Sequence, residues 1–274
     1  MSCIRRPRAS LQRCRGGLLG QWCLALGCLL LVHPALAAEA TIAVAANFRE
    51  TAQVIAERLE ATSSHRFTII SGSTGKLVSQ ALQGAPFDVV MAADEVRPLR
   101  LIEEGFAAPT AQRTYALGEL GLWWPGKALP FTVAELSELS PQSVCVANPA
   151  LAPYGAAAWS VLEQSGLDAA WLGNVVRVDN VNLVAGMVAQ GQAQAGFVAR
   201  ASISALARAG EFPLENQSVL WLAPDAAIQQ DLVLMRRAEE NAAALWWVEQ
   251  LFEESIQALL MSHGYRLPAE KRPR

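Results

Sequence analysis

The segment GSTGKLVSQALQGAPFDVVMAADE, residues 72–95, contains the strongest indication of the fold. A turn of glycine and hydroxyl residues leads into KLVSQALQG (76–84), which has the apolar spacing of a helix, and FDVVMAA (87–93) then has the composition of a strand. RFTIISG (66–72), which leads into the turn, has the composition of another strand. A strand, a turn, a helix and a second strand in this order predict a βαβ unit with parallel strands.

The same alternation of short apolar runs and helical patterns continues on both sides of this segment and predicts an α/β fold. The pattern forms two α/β blocks that meet near residue 120 and again near residue 225, and the chain closes with one long helix. Further predicted strands are TIAVAA (41–46), SVCVANP (143–149), VVRVDN (175–180), SVLWLAP (218–224) and DLVLMRR (231–237), and the closing helix is 241–264.

The turn SGSTGKL (71–77) combines the components of several anion-binding loops. A P-loop needs G-x-x-x-x-G-K-[ST], whereas here Gly72 lies only three residues before Gly75, which excludes a nucleotide-binding P-loop. Ser73 and Lys76 have the S-x-x-K spacing of some hydrolases, but the S-D-N and K-T-G elements are absent from the chain. A simple helix cap at Ser73 or Thr74 is the third interpretation, and the segment alone leaves it open.

Residues 1–38 have the composition of a secretory signal peptide. They contain five arginines and no acidic residue, followed by the apolar run CLALGCLLLV (23–32) and an A-x-A site at 35–37. An apolar run of this length is short for a membrane span, which needs about 20 residues. We therefore expect an exported protein with a cleaved signal peptide; a retained membrane anchor and a lipoprotein attached at Cys28 are the alternatives.

Removal of residues 1–38 makes the protein strongly acidic. It leaves 17 basic and 25 acidic residues among 236, a net charge near −8. Because nucleic acid binding usually requires a basic face, we do not expect it here. Cys145 is the one cysteine that remains, and its apolar neighbours in SVCVAN predict a buried, unreactive thiol without a disulfide.

Four strand-to-helix turns carry small polar residues at the point where a helix begins. In an open α/β sheet such turns lie at the carboxyl ends of the strands, where ligands bind. Each helix start offers unpaired N–H groups and the positive end of a helix dipole, so several of them together can hold an anion without a lysine or arginine. The turns are AANF (45–48), GSTG (72–75), NPALAPYG (148–155) and DNVN (179–182), and together they predict a site for a small anion.

At these turns the sequence resembles the periplasmic molybdate-binding proteins of ABC transporters, over essentially the whole chain after the signal peptide. The segment 72–95 is similar to the family's S-S-G-K-L-like turn followed by G-A-P-x-D-x-x-x-S-A-D, and NPALAPYG is similar to its N-P-x-x-A-P-Y-G turn. These two motifs together are much more specific than any single turn. The smaller matches are IAVAANF (42–48), DNVN, GFVA (196–199) and HGYRLP (263–268).

The resemblance implies a fold as well as a function. The implied fold is α/β, the two-lobe periplasmic binding protein fold of type II, with a mainly parallel sheet flanked by helices in each lobe. On this basis we expect lobe 1 to comprise residues 39–120 plus 226–274, and lobe 2 residues 121–225.

The resemblance also implies which residues contact the ligand. Asn47 is expected to donate from its backbone and its side chain, Thr74 from its backbone N–H and its hydroxyl, and Tyr154 from its backbone N–H. Ser73 is the alternative to Thr74, and Lys76 is expected to be solvated outside the cleft. The five implied ligand positions are Ala46, Asn47, Thr74, Tyr154 and Val181.

The implied function is capture of molybdate, and of tungstate with it, in the periplasm and delivery to the permease subunits of an ABC transporter at the inner membrane. No catalysis, no cofactor, no directly coordinated metal and a monomer are expected. Some family members have a tyrosine where Ala199 stands, which leaves open how many hydrogen bonds the ligand receives. The rival interpretations are a binding protein for sulfate or phosphate, an exported Ser/Lys hydrolase, and a structural or adhesive domain.

Overall fold

The computed structural model describes residues 37–210, 218–222 and 227–268, and these contain two five-stranded sheets with helices packed against them. All but the last two residues of the predicted signal peptide, and the predicted lobe boundary at residues 225–226, lie outside the described residues.

The first sheet has the strand order β2-β1-β3-β10-β4. Parallel pairing of β1 with β2 and with β3 confirms the βαβ unit predicted from residues 66–93. Strand β10 runs antiparallel to both β3 and β4. The strands are β1 Glu39–Ala45, β2 Arg66–Gly72, β3 Val89–Met91, β4 Ala107–Gly118 and β10 Ile228–Met235.

The second sheet has the order β7-β6-β8-β5-β9 and repeats the same plan. Strand β6 pairs in parallel with β7 and β8, while β5 runs antiparallel to β8 and β9. Each sheet therefore has two parallel and two antiparallel pairings, a mixed sheet where a mainly parallel one was expected. The strands are β5 Leu120–Trp123, β6 Val144–Ala147, β7 Val176–Val178, β8 Ala195–Ala199 and β9 Val219–Trp221.

The antiparallel pairings involve the strands next to the two places where the chain passes from one sheet to the other. The chain leaves the first sheet at the end of β4 (Gly118) and enters the second with β5 (Leu120), and it returns between β9 and β10. A strand that continues directly from the other sheet arrives without a crossover helix, so it is free of the requirement that keeps βαβ strands parallel. The two sheets are the centres of the two lobes.

Helices connect most parallel strands and cover the sheets. The α-helices are α1 Arg49–Thr62, α2 Thr74–Leu82, α3 Val96–Glu103, α4 Pro153–Gln164, α5 Ala169–Gly173, α6 Val181–Ala189, α7 Arg200–Arg208, α8 Ala242–Gln250 and α9 Glu254–Ser262. Short 3-10 helices are formed by Ala46–Phe48, Val133–Glu138, Pro141–Ser143 and Arg236–Ala238.

The prediction of one long closing helix over 241–264 is wrong, because the segment forms α8 and α9 with a break at Glu253. Leu251 and Ile256 are both buried in the core beneath the first sheet. On a straight helix at 3.6 residues per turn these two side chains would point about 140° apart. The extended backbone at Glu253 (φ −72°, ψ 141°) turns the second helix so that both faces reach the same core.

Cys145 lies fully buried on β6, as the sequence predicts. Burial raises the pKa of its thiol to about 11, so the thiolate is scarce at neutral pH. Within the described residues, no helix is both long and apolar enough to cross a membrane.

Gly155, in the first turn of α4, brings that helix close to the end of β6. A Cβ at this position would lie 2.3 Å from the carbonyl oxygen of Ala147, which is backbone and cannot rotate away. We expect Gly155→Ala to lower the free energy of unfolding by about 1–3 kcal/mol, the usual effect of overpacking. Urea unfolding of the ligand-free protein measures this change.

Gly186 in α6 provides the matched control, since a Cβ there would have no atom from outside the neighbouring backbone of its own helix within 4 Å. Gly186→Ala should stabilise the protein by up to about 1 kcal/mol, because alanine is the better helix former. Equal behaviour of the two variants would contradict the close packing of α4 on β6.

Candidate functional site

One cavity is lined by residues from all four turns singled out in the sequence. Ala46 and Asn47 come from the first turn, Thr74 from the second, Tyr154 from the third and Val181 from the fourth. All five predicted ligand positions therefore lie at the same cavity, and Ser73, the predicted alternative to Thr74, lines it too.

The cavity is small. Measured to the atom surfaces and including its opening, its free space is about 200 Å³. Most of this space lies too close to the walls to hold a molecule, so the enclosed part has room for roughly one water molecule. It suits one small ligand, and a tetrahedral oxyanion, which is larger than water, fits when the lobes move slightly apart from this arrangement.

None of the described residues that line the cavity is charged. An anion bound here receives its favourable interactions from neutral N–H and O–H groups and from helix dipoles.

The start of α6 is capped by the side chain of Asn180. The side-chain oxygen of Asn180 accepts from the N–H groups of Asn182 and Leu183, both at 3.1 Å, and the N–H of Val184 donates to the carbonyl of Asn180. Since the first four N–H groups of a helix have no partner within it, this cap leaves the N–H of Val181 as the available donor.

The start of α4 has no side-chain cap. Pro153 occupies the first helical position, where its missing N–H costs nothing, and Ala152 before it has no polar side chain. The N–H of Ala156 donates to the carbonyl of Ala152. The N–H of Tyr154, in the first turn of this helix, is therefore not used by capping, and Tyr154 lines the cavity.

The start of α2 combines a contact between the lobes with a hydroxyl donor. The N–H of Gly75 donates to the carbonyl of Leu151 in the second lobe at 2.9 Å. The N–H of Ala93 donates to Thr74 Oγ1 at 3.1 Å, so this oxygen already accepts one hydrogen bond. The hydroxyl hydrogen of Thr74 remains free to donate to a ligand.

The side chain of Asn47 differs from the prediction that it donates to the ligand. Its Nδ2 donates to Gln230 Oε1 at 2.9 Å and to the hydroxyl of Tyr265 at 3.2 Å, which uses both amide hydrogens. The Tyr265 hydroxyl in turn donates to the carbonyl of Asn47 at 2.8 Å. Asn47 can thus serve a ligand through its backbone N–H, while its side chain fixes the turn.

Gln230 connects this turn to the second lobe, a role that the sequence did not reveal. It is fully buried on β10, and its Oε1 accepts from Asn47 and from the hydroxyl of Tyr115 at 3.1 Å. Its Nε2 donates to the hydroxyl of Tyr154 at 3.2 Å. Burial raises the pKa values of both tyrosines well above their ordinary value, so both hydroxyls stay protonated.

Gly118 makes room for the Tyr154 hydroxyl at the passage between the lobes. A Cβ on Gly118 would lie 1.9 Å from that oxygen. The phenol of Tyr154, in the second lobe, therefore occupies space that is available because Gly118, in the first lobe, has no side chain.

Further contacts between the lobes surround the cavity. Asn182 Nδ2 donates to the carbonyl of Ala46 at 2.6 Å, and a guanidinium N–H of Arg97 donates to the carbonyl of Ala150 at 3.0 Å. Lys76, expected to be solvated, is half-exposed and pairs with Asp179 across the cleft. The structure thus has its two lobes in contact around the cavity.

The Ser/Lys hydrolase interpretation requires a hydrogen bond between Ser73 and Lys76, and these two residues do not form one. Lys76 Nζ bonds to Asp179, and Ser73 Oγ has no hydrogen-bond partner among the described residues. In the same part of the chain, no group of three or more His, Cys, Asp and Glu residues could hold a metal ion.

A second, open groove has a larger free space of about 610 Å³, measured in the same way, but its lining offers a ligand fewer unused polar groups. Its polar side chains Asn182 and Ser202 bond to each other, and its charged residues Arg49 and Glu50 are exposed. The smaller cavity is therefore the candidate site.

Two lobes that enclose a small cavity of hydrogen-bond donors define a solute-binding protein. The chain belongs to the family of bacterial extracellular solute-binding proteins, whose profile matches residues 40–266.

Two relatives and one solved structure show which solute-binding proteins the chain is similar to. The chain is 35% identical over 256 residues to the molybdate-binding protein ModA of Azotobacter vinelandii, with 91% of this chain and 98% of the relative covered. It is 32% identical over 238 residues to ModA of Rhodobacter capsulatus, with 86% and 91% covered. The structure of the Azotobacter vinelandii periplasmic molybdate-binding protein has a TM-score of 0.75 at 30% identity, with 84% of this chain and 100% of that chain covered.

These matches confirm the resemblance to periplasmic molybdate-binding proteins and the two-lobe fold that the motifs indicate. The protein is a binding protein and not an enzyme.

The contacts of Gln230 lead to a prediction about stability. Gln230→Leu leaves one amide hydrogen of Asn47 and the hydroxyl of Tyr154 without their partner, and each buried orphan costs about 1–3 kcal/mol. We expect the free energy of unfolding to fall by about 2 kcal/mol or more, measured by urea unfolding of the ligand-free protein.

Gln229→Leu is the control on the neighbouring position, where the side chain is half-buried and bonds to Asp231. Equal losses in the two variants would contradict a special role for Gln230.

Proposed function

We propose that the protein captures molybdate in the periplasm and delivers it to an ABC transporter. The observation that carries the proposal is the convergence of four helix starts, two from each lobe, on a small cavity whose described lining residues are all uncharged. The names of the relatives, two molybdate-binding proteins, support the choice of ligand.

The proposed ligand contacts are neutral hydrogen bonds. Thr74 donates through its hydroxyl and its N–H, while Asn47, Tyr154 and Val181 donate through their N–H groups. Ala46 lines the cavity beside Asn47. Four oxygens of a tetrahedral dianion accept from these groups, and such bonds to a charged acceptor are stronger than neutral ones.

Neutral donors suit this ligand in an acidic protein. A fully deprotonated oxyanion only accepts hydrogen bonds, so a cavity that offers N–H and O–H donors matches it at every oxygen. Tungstate has the same charge and shape, and we propose that it binds in the same way.

Binding is proposed to proceed by closure of the lobes on the anion. The donors of Thr74 and Asn47 belong to one lobe and those of Tyr154 and Val181 to the other, so an ion that needs both sets favours the closed form. The proposed lobes are residues 39–120 plus 226–274, and 121–225. The permease would recognise the closed lobes, after export directed by the signal peptide.

Sulfate and phosphate remain the rival ligands, and a thermal-shift experiment separates them from molybdate. A ligand that binds the folded state raises stability by about 2.7 kcal/mol at a hundredfold excess over Kd. We expect molybdate and tungstate to raise the Tm of the mature protein, and sulfate and phosphate to have little effect. An equal shift with sulfate would refute the choice of molybdate and leave the fold intact.

A second experiment tests the backbone donor at Val181. Val181→Pro removes the N–H, and proline suits both the first helical position and the extended backbone of Asn180 before it (φ −154°, ψ 167°). Loss of a charge-assisted bond, about 1.5–3 kcal/mol, should weaken molybdate binding about 10- to 100-fold in calorimetry. Val181→Ala keeps the N–H and should bind nearly as well as the wild type.

Two further variants complete this series. Thr74→Ala removes a hydroxyl donor and should weaken binding by a factor similar to Val181→Pro. Lys76→Ala breaks an exposed pair worth about 0–1 kcal/mol, so its effect should be small. Loss of binding in Lys76→Ala together with normal binding in Thr74→Ala would show that the ligand site is elsewhere.

A further inference from the structure

The hydroxyl of Ser73 is a buried polar group at the cavity. The residue is 3% exposed, its Oγ has no hydrogen-bond partner among the described residues, and it lines the cavity. A buried polar atom of this kind is uncommon in native structures, because it has lost its water without gaining a replacement.

Ser73 stands at the position of a helix cap but does not act as one. It precedes the first residue of α2 with extended backbone (φ −66°, ψ 142°), yet its side chain accepts no hydrogen bond from the first turn. The N–H of Gly75 instead donates to Leu151 of the other lobe, and the N–H of Leu77 donates to the carbonyl of Ser73. The common role of a serine at this position is therefore not what keeps the hydroxyl buried.

The adjacent Thr74 shows the contrast. Its Oγ1 accepts from the N–H of Ala93, so it has a structural partner as well as a free hydrogen. Ser73 also has a free hydroxyl hydrogen, but it has no structural partner among the described residues, although both residues line the same cavity.

We propose that Ser73 Oγ donates a hydrogen bond to the bound oxyanion in addition to Thr74, and does not replace it. This inference rests on the proposed function, since it concerns the same cavity and the same ligand. With it, the start of α2 supplies two adjacent hydroxyl donors, and the ligand oxygen provides the partner that Ser73 lacks.

The test measures both the affinity for molybdate and the stability of the ligand-free protein. Replacement of a ligand donor should not lower the ligand-free stability, whereas replacement of a structural helix cap should lower it. Ser73→Ala removes an unsatisfied group, so the Tm of the ligand-free protein should stay the same or rise. Sodium molybdate should bind this variant about 10- to 100-fold more weakly in calorimetry, as expected for loss of a charge-assisted bond.

Two variants complete the experiment. Ser71→Ala is the control, because Ser71 is exposed on the preceding strand and should bind molybdate as the wild type does. Ser73→Cys keeps a side chain of similar size with a much weaker donor, and it should also bind more weakly than the wild type.

The wild type is titrated first, so that the two proposals fail separately. If the wild type does not bind molybdate, the proposed function is wrong. If the wild type binds molybdate and both Ser73→Ala and Ser73→Cys bind it as tightly as the wild type does, only the inference about Ser73 is overturned. A fall in the ligand-free Tm of Ser73→Ala, with or without a loss of affinity, would also overturn it, because that result identifies a structural cap.

Discussion

A cavity without a charged side chain among its described lining residues is the constraint on which the rest of this structure depends. In the proposed function, every favourable interaction with an anion at this cavity has to come from N–H groups, hydroxyls and helix dipoles. Helix starts provide such groups, but each provides only one or two. The chain must therefore bring several helix starts to one point, and the carboxyl ends of parallel strands in two facing sheets do so.

Because the proposed donors are divided between the two lobes, binding of the anion would favour the arrangement in which the lobes are in contact. The turns after β1 and β2 lie in the first lobe, and those after β6 and β7 lie in the second. Neither lobe alone surrounds an ion. Gln230 also favours this arrangement, because one side chain bonds to Asn47 on one side of the cavity and to Tyr154 on the other.

Much of the site could be predicted from the sequence because its components are local. Each donor belongs to a short strand-to-helix turn, and the spacing of glycine, asparagine and proline indicates where a helix begins. The role of Asn47 was predicted only in part: the resemblance indicated its place at the ligand, but its side chain bonds to Gln230, 183 residues away, and to Tyr265, 218 residues away. Gln230 itself carried no signal, since a glutamine at the start of an apolar strand gives no indication of burial.

Prediction of the fold has the same limit, because the sequence pattern indicates local elements and not distant contacts. The βαβ unit around residues 66–93 was predicted correctly, because its strands, turn and helix are adjacent in sequence. The antiparallel placement of β5 and β10 depends on the passages between the lobes, which no local pattern marks. The break between α8 and α9 likewise follows from which core the two helices share, and the apolar pattern of 241–264 fits a continuous helix equally well.

The most direct test of the central claim is the crystal structure of the mature protein with molybdate, with the metal located by its anomalous scattering. We expect molybdenum in the cavity between the four helix starts, with its oxygens about 2.7–3.1 Å from the backbone nitrogens of Thr74, Tyr154 and Val181 and without contact to a lysine or arginine. Molybdenum beside Lys76 or Arg97, or an anion that makes no contact with the N–H of Val181, would contradict this expectation.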